Sequence, residues 1–138
     1  MASGKTFEDL EIWKAGMQLV CDVYEAFKKC NDFGLKDQMQ RAAVSIPSNI
    51  SEGFERSSDK EFIRFLYIAK ASCGELRTQL YIAVKLNYIE KLKGDALITR
   101  LRTLSSQIAS LITYRQKRNN ENPSTLHPAP FPPSPSKI

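Results

Sequence analysis

The chain has 138 residues, a formal net charge of +5, 42% hydrophobic residues and 25% charged residues. That length supports one domain with a real core, and the composition excludes general disorder and a chain dominated by membrane spans. Cys21, Cys30 and Cys73 contain no Cys-x-x-Cys pair, which excludes a disulfide framework or a zinc site, and Cys21 and Cys73 read as small buried hydrophobes inside helical patterns.

No apolar run reaches the roughly 18 residues a bilayer span needs, because Arg64 and Lys70 interrupt the richest stretch, residues 62–73. The opening MASGKTFEDLEIW mixes acids and bases and has no signal-peptide core, so a cytoplasmic location is expected. Thr6 with Asp9 three residues on predicts a capped first helix, with Leu10, Trp13, Met17, Val20, Tyr24 and Phe27 as its buried seam. Asn31, Asp32, Phe33 and Gly34 then supply turn chemistry.

A second helix is expected from about Leu35 to Gly53 or Phe54, with Met39, Ala42, Ala43, Ile46 and Ile50 at helical spacing. Pro47 at its centre removes a backbone donor and crowds the preceding turn, which predicts a kink among small residues such as Ala43, Ser45 and Ser48. Ser58 with Glu61 predicts the next cap and the longest helix, on which Phe62, Phe65, Ala69, Ser72, Leu76, Leu80 and Ala83 form one seam, widened by Leu66, Cys73 and Val84. A fourth helix from near Lys93 is read from Leu97, Leu101, Leu104, Ile108 and Leu111, widened by Ile98 and Ile112.

These elements specify an all-α fold, an antiparallel up-down-up-down four-helix bundle over residues 1–118. Residues 119–138 form a separate tail, since six of the seven prolines lie from Pro123 to Pro135, in a composition that favours extended polyproline geometry. Its PxxP spacings, Pro130 with Pro133 and Pro132 with Pro135, would suit an aromatic groove on a protein partner, but the favoured reading is a disordered or locally docked extension.

The sequence resembles the bacterial four-helix-bundle family named for proteins encoded by intervening sequences in 23S ribosomal RNA genes. The residues carrying the match are FEDLEIWKAG from Phe7, VY at Val23 and Tyr24, QMQRAAVSIPSNISEG from Gln38, ASCGELRTQL from Ala71 and LNYI from Leu86. The resemblance implies a cytosolic homo-oligomer, a ring of five bundles, with no enzymatic activity. The chain is also similar, more distantly, to accessory variability proteins of diversity-generating retroelements. That similarity implies basic pentamers that bind nucleic acid and a reverse transcriptase.

Catalytic chemistry has little foothold. The single histidine, His127, sits in the proline-rich tail, and there is no phosphate-cradling glycine loop. Ser57 and Lys60 match Ser-x-x-Lys, but they lie at a helix start where capping accounts for the serines. No cofactor is expected. Arg41, Asn49, Glu52, Glu75 and Arg77 lie in stretches expected to pack together, and they read as a structural polar network; the competing reading makes Glu52 and Glu75 a catalytic acid and base.

Charge is concentrated late in the chain, where Lys91, Lys93, Arg100, Arg102, Arg115, Lys117 and Arg118 face Asp95 alone. Lys93, Arg100, Arg102, Arg115, Lys117 and Arg118 are the candidate contacts to RNA or DNA, and repetition around a ring would turn a modest patch into a phosphate-binding surface. The sequence-level expectation is therefore a non-enzymatic, ring-forming scaffold that binds nucleic acid electrostatically. The alternative is a protein-interaction module in which the basic helix is merely solvated.

Overall fold

A computed structural model describes residues 5–121. A single 3-10 turn, Phe7–Asp9, is followed by α1 (Glu11–Ala26), α2 (Phe33–Phe54), α3 (Asp59–Lys85) and α4 (Lys91–Glu121), with no strand among the described residues. The start and stop chemistry is local. The Thr6 N–H donates to Asp9 Oδ2 at 3.0 Å, although this box caps the 3-10 turn and α1 begins only at Glu11. Asp32 Oδ1 accepts from the Leu35 N–H at 3.1 Å, and Ser58 Oγ accepts from the Glu61 N–H at 3.2 Å.

After α3 the chain reverses through Asn87, whose φ of 62° is the left-handed conformation asparagine tolerates better than most residues. The Tyr88 N–H reaches back to the Ala83 carbonyl at 2.9 Å and the Asn87 N–H to that of Val84 at 3.0 Å, closing two otherwise open carbonyls. Asn87→Ala is expected to cost about 1 kcal/mol in urea unfolding, while Asn87→Gly should be near neutral.

α3 packs against α2 on one side and α4 on the other, while α1 packs against α2 and, over a shorter stretch, α4. The helices thus sit at the corners of a square in chain order, with α1 diagonal to α3. The core is continuous. Leu19, Val23, Phe27, Ile46, Ile50, Phe62, Leu66, Leu76, Leu80, Leu101, Leu104 and Ile108 are all buried in it, as the α3 and α4 seams require. Ser45 Oγ and Ser72 Oγ share a hydrogen bond at 2.9 Å between α2 and α3, and Asn49 Nδ2 donates to the Ser45 carbonyl and hydroxyl at 2.8 Å.

α1 turns a different stripe inward from the one its aromatic spacing predicts. Ile12, Gly16, Leu19 and Val23 are buried, together with Phe27, whereas Met17 and Tyr24 are 41% and 42% exposed and Trp13 is half-buried. Gly16 lies on this buried stripe, and a Cβ placed there would meet Ile46 and Pro47 of α2 at an ordinary contact distance of 3.5 Å. A glycine adds nothing to a count of apolar positions, so the sequence pattern favoured the aromatic side.

Pro47 lies buried inside α2, which runs unbroken from Phe33 to Phe54. Cys21 is exposed, contrary to its expected burial, because it lies beside Met17 and Tyr24 on the outward side; Cys73 is buried and Cys30 half-buried. Burial pushes the Cys73 thiol up to about 11, against the weaker pull of Arg77 and Lys70. In the folded single chain a maleimide should therefore label Cys21, and Cys73 only on unfolding; equal rates in the single chain would contradict the α1 orientation. α4 continues through Asn119, Asn120 and Glu121, past the boundary expected at Arg118, while the proline tail, its PxxP spacings and His127 lie outside the described residues.

Candidate functional site

The most concentrated electrostatic feature is Asp59, the first residue of α3, which is 2% exposed. Because α3 and α4 run antiparallel, its carboxylate meets the last turns of α4. Arg118 grips it with a two-pronged fork, Nε to Oδ2 and Nη2 to Oδ1, both at 2.9 Å, and Arg115 Nη1 adds a third bond to Oδ1 at 2.6 Å. Burial on its own would raise the Asp59 pKa, but the hydrogen bonds and charges of Arg118 and Arg115 outweigh it and hold the carboxyl below its usual range. Arg118 is raised in return by the same hydrogen bond.

Aromatic rings complete this end of the bundle. The Arg115 guanidinium lies 4.8 Å from the Phe62 ring centre, Phe54 meets Phe62 edge to face at 5.7 Å, and Arg56 and Arg64 each lie 4.9 Å from the Phe65 ring centre. Gly53 makes room for these rings on α2.

Four of the six cations expected at a nucleic-acid surface have a partner within the chain. Arg115 and Arg118 hold Asp59, Arg100 Nη1 pairs with Asp22 Oδ2 at 2.7 Å, and Arg102 Nη2 donates to the Tyr81 hydroxyl at 2.8 Å. Lys93 and Lys117 are exposed. The sequence reading missed Asp59, although Arg115 near the centre of an apolar helix face was a signal, since a buried guanidinium demands an acceptor.

The five residues read as a polar network are not brought into one. Arg41 Nε binds Asp37 Oδ2 at 2.8 Å, Glu52 Oε2 accepts from Arg56 at 3.2 Å, Glu75 Oε2 accepts from Gln79 at 3.4 Å, and Asn49 joins the Ser45 and Ser72 cluster, while Arg77 is half-buried on α3. Ser72 lies against Ser45, and Gly53 lies against Phe65. That register sets Glu52 and Glu75 apart by roughly 15 Å along the helix pair, at 1.5 Å of rise per residue, too far to share a proton. Among the described residues no group of three or more His, Cys, Asp or Glu could hold a metal ion, and no helix is long and apolar enough to cross a membrane.

Two sides of the bundle carry large apolar side chains without a partner helix. Met17 and Tyr24 project from α1 and Ile68 and Ile82 from α3, all at least 40% exposed, whereas the exposed Tyr67 and Tyr81 accept hydrogen bonds from Gln116 and Arg102 of α4.

Comparison with known proteins places this arrangement. The chain is similar in fold to a crystal structure from Bacteroides thetaiotaomicron, described as a protein with unknown function from the S23 ribosomal protein family. The TM-score is 0.70 and the identity 20%, over 73% of this chain and 97% of that one. No curated protein resembles the chain closely enough to count as a match. Residues 8–110 match the family described as 23S rRNA-intervening sequence protein, a span that takes in α1 to α3 and most of α4. The chain belongs to the 23S rRNA-intervening sequence protein family.

Proposed function

We propose that the protein is a cytoplasmic scaffold with no reaction of its own, which assembles with copies of itself into a ring of five and holds RNA or DNA by charge. The observation that carries the assembly is the pair of apolar sides on α1 and α3, where side chains such as Met17, Tyr24, Ile68 and Ile82 remain at least 40% exposed in the single chain. The number five follows from the family resemblance.

Nucleic-acid contact rests on fewer groups than the sequence offers. With Arg115 largely buried on Asp59 and the exposed Arg100 and Arg102 paired with Asp22 and Tyr81, the positions with no such partner are Lys93 and Lys117, with the outer part of Arg118, repeated around the ring. The net charge of +5 per chain supports a salt-sensitive, sequence-independent grip on phosphates. Since the apolar sides would equally serve a protein partner, a protein-interaction module without nucleic acid is the second reading.

Light scattering on a size-exclusion column at low salt, with and without a mixed RNA and DNA pool, tests both. A mass near five chains that rises with nucleic acid and falls back as salt is added is the expected result. A monomer at high protein concentration overturns the scaffold, and an oligomer that ignores nucleic acid leaves the protein-interaction reading. Lys93→Glu with Lys117→Glu should abolish the shift without altering stability, whereas Arg115 substitutions should act through folding.

A further inference from the structure

Cations drawn out of water call for a counter-charge, and two on α3 have none. Tyr67, Lys70, Arg77 and Tyr81 follow one another at steps of three, seven and four, so they share one side of the helix. The tyrosines show which side it is, since Tyr67 accepts from Gln116 and Tyr81 from Arg102, both of α4. Lys70 and Arg77 therefore line the groove between α3 and α4. Each is half-buried, and among the described residues neither makes a hydrogen bond or an ion pair. Both also pull down the thiol of Cys73, the buried residue between them.

Nothing in the groove neutralises them. The acids of α3 are engaged elsewhere, Asp59 by Arg115 and Arg118, Glu61 by Arg64 and Glu75 by Gln79, and α4 has no acid between Asp95 and Glu121. Arg102 adds a third cation, because its Tyr81 partner is neutral and leaves the charge uncompensated. The two tyrosine contacts lie 14 residues apart on α3 (67 to 81) and 14 on α4 (102 to 116), so the helices keep one register. The groove thus runs for about 20 Å, at 1.5 Å of rise per residue. Tyr67 and Tyr81 stay 48% and 45% exposed at its ends. Recessed cations between exposed aromatic rings suit a flexible polyanion that can settle into the groove and stack its bases, which a rigid duplex does poorly.

We propose that the groove between α3 and α4 is a site for single-stranded nucleic acid, in which Lys70, Arg77 and Arg102 hold phosphates and Tyr67 and Tyr81 stack on bases at either end. This rests on the nucleic-acid reading above and adds to it where the strand lies and that it is single. Lys117 follows Gln116 at the Tyr67 end, so the groove continues onto a cation already assigned to that surface. Ile68 and Ile82 lie about a third of a turn around α3 from this stripe, so an assembly through them leaves the groove open.

Fluorescence anisotropy of the full chain with a labelled, mixed-sequence single-stranded DNA at low salt provides the test. The unmodified protein should bind it about tenfold more tightly than the same sequence as duplex. Lys70→Gln with Arg77→Gln should keep or raise the melting temperature, since two half-buried charges without partners are removed. The same variant should weaken binding about tenfold or more. It should also make the slope of log K against log salt shallower by about 1.4, the value for two phosphates of a single strand. Tyr67→Leu with Tyr81→Leu is expected to weaken binding about fivefold or more and leave that slope unchanged. Unchanged affinity in either variant, duplex bound as tightly as single strand, or polyglutamate displacing the strand at equal charge would overturn the proposal. If the unmodified protein binds no strand at low salt, the nucleic-acid reading fails and takes this inference with it. If it binds and only Lys93→Glu with Lys117→Glu releases the strand, this inference alone fails.

Discussion

Asp59→Asn is expected to destabilise the protein by about 2–4 kcal/mol near neutral pH, measured by urea unfolding. The substitution keeps the size of the side chain and removes its charge, leaving Arg115 and Arg118 without their counter-ion. Asp59 and Arg115 are 2% and 19% exposed, so Arg115 has little water to fall back on, whereas Arg118, at 47%, can turn outward. Arg118→Gln should therefore cost less, about 1 kcal/mol. A cost for Asp59→Asn within about 0.5 kcal/mol would mean the clasp contributes nothing to folding.

The clasp also sets a pH dependence. The Asp59 pKa is lower in the folded protein than in the unfolded chain, so the folded state binds that proton more weakly. Its stabilisation is complete above the unfolded carboxylate value of about 3.9 and is lost as pH falls through the lower folded value. The stability gap between the unmodified protein and Asp59→Asn should consequently narrow toward about pH 3 and stay constant from about pH 5 upward. A gap that widens in acid would reverse the assigned direction.

Gly53→Ala is expected to be the second large effect, and its sign opposes helix propensity. In an open helix, alanine for glycine stabilises by up to about 1 kcal/mol. Here the new Cβ would lie 2.6 Å from Phe65 Cβ and 3.0 Å from Phe62 Cδ1. Phe65 Cβ is tied directly to the α3 backbone and cannot swing aside, so α2 and α3 must separate at the ring cluster that also supports Arg56 and Arg115. Overpacking of this kind costs about 1–3 kcal/mol beyond the lost propensity gain. Thermal unfolding of Gly53→Ala beside Gly74→Ala makes the comparison internal: the first should lower the melting temperature, and the second, in open space, should raise it.

The legible parts of the molecule were those encoded within a few residues. Ser58 with Glu61 marked the start of α3, Asp32 the turn before α2, and the expected seams of α3 and α4 proved to be buried apart from the half-buried Val84 and Leu111. Those two helices each carry one dominant stripe, so their inward side follows from periodicity. α1 carries two stripes, and the one with more aromatic residues lost to the one containing Gly16. The candidate site was less legible. Arg100, Arg102, Arg115 and Arg118 read as a surface for phosphates because a lone sequence does not show their partners Asp22, Tyr81 and Asp59 across the bundle.

The amino-acid sequence by itself determined four helices, their order, most of their ends and the membership of its family, because caps, turns and apolar periodicity act over three or four residues. Tertiary structure alone decided which side of α1 turns inward, that Cys21 is exposed, and that Asp59 meets Arg115 and Arg118, 56 and 59 residues away. These outcomes depend on how closely helices approach, as at Gly53, and on the register of antiparallel neighbours. Neither quantity is written in any local pattern, since each is set by the fit between helices that meet only once the chain has folded.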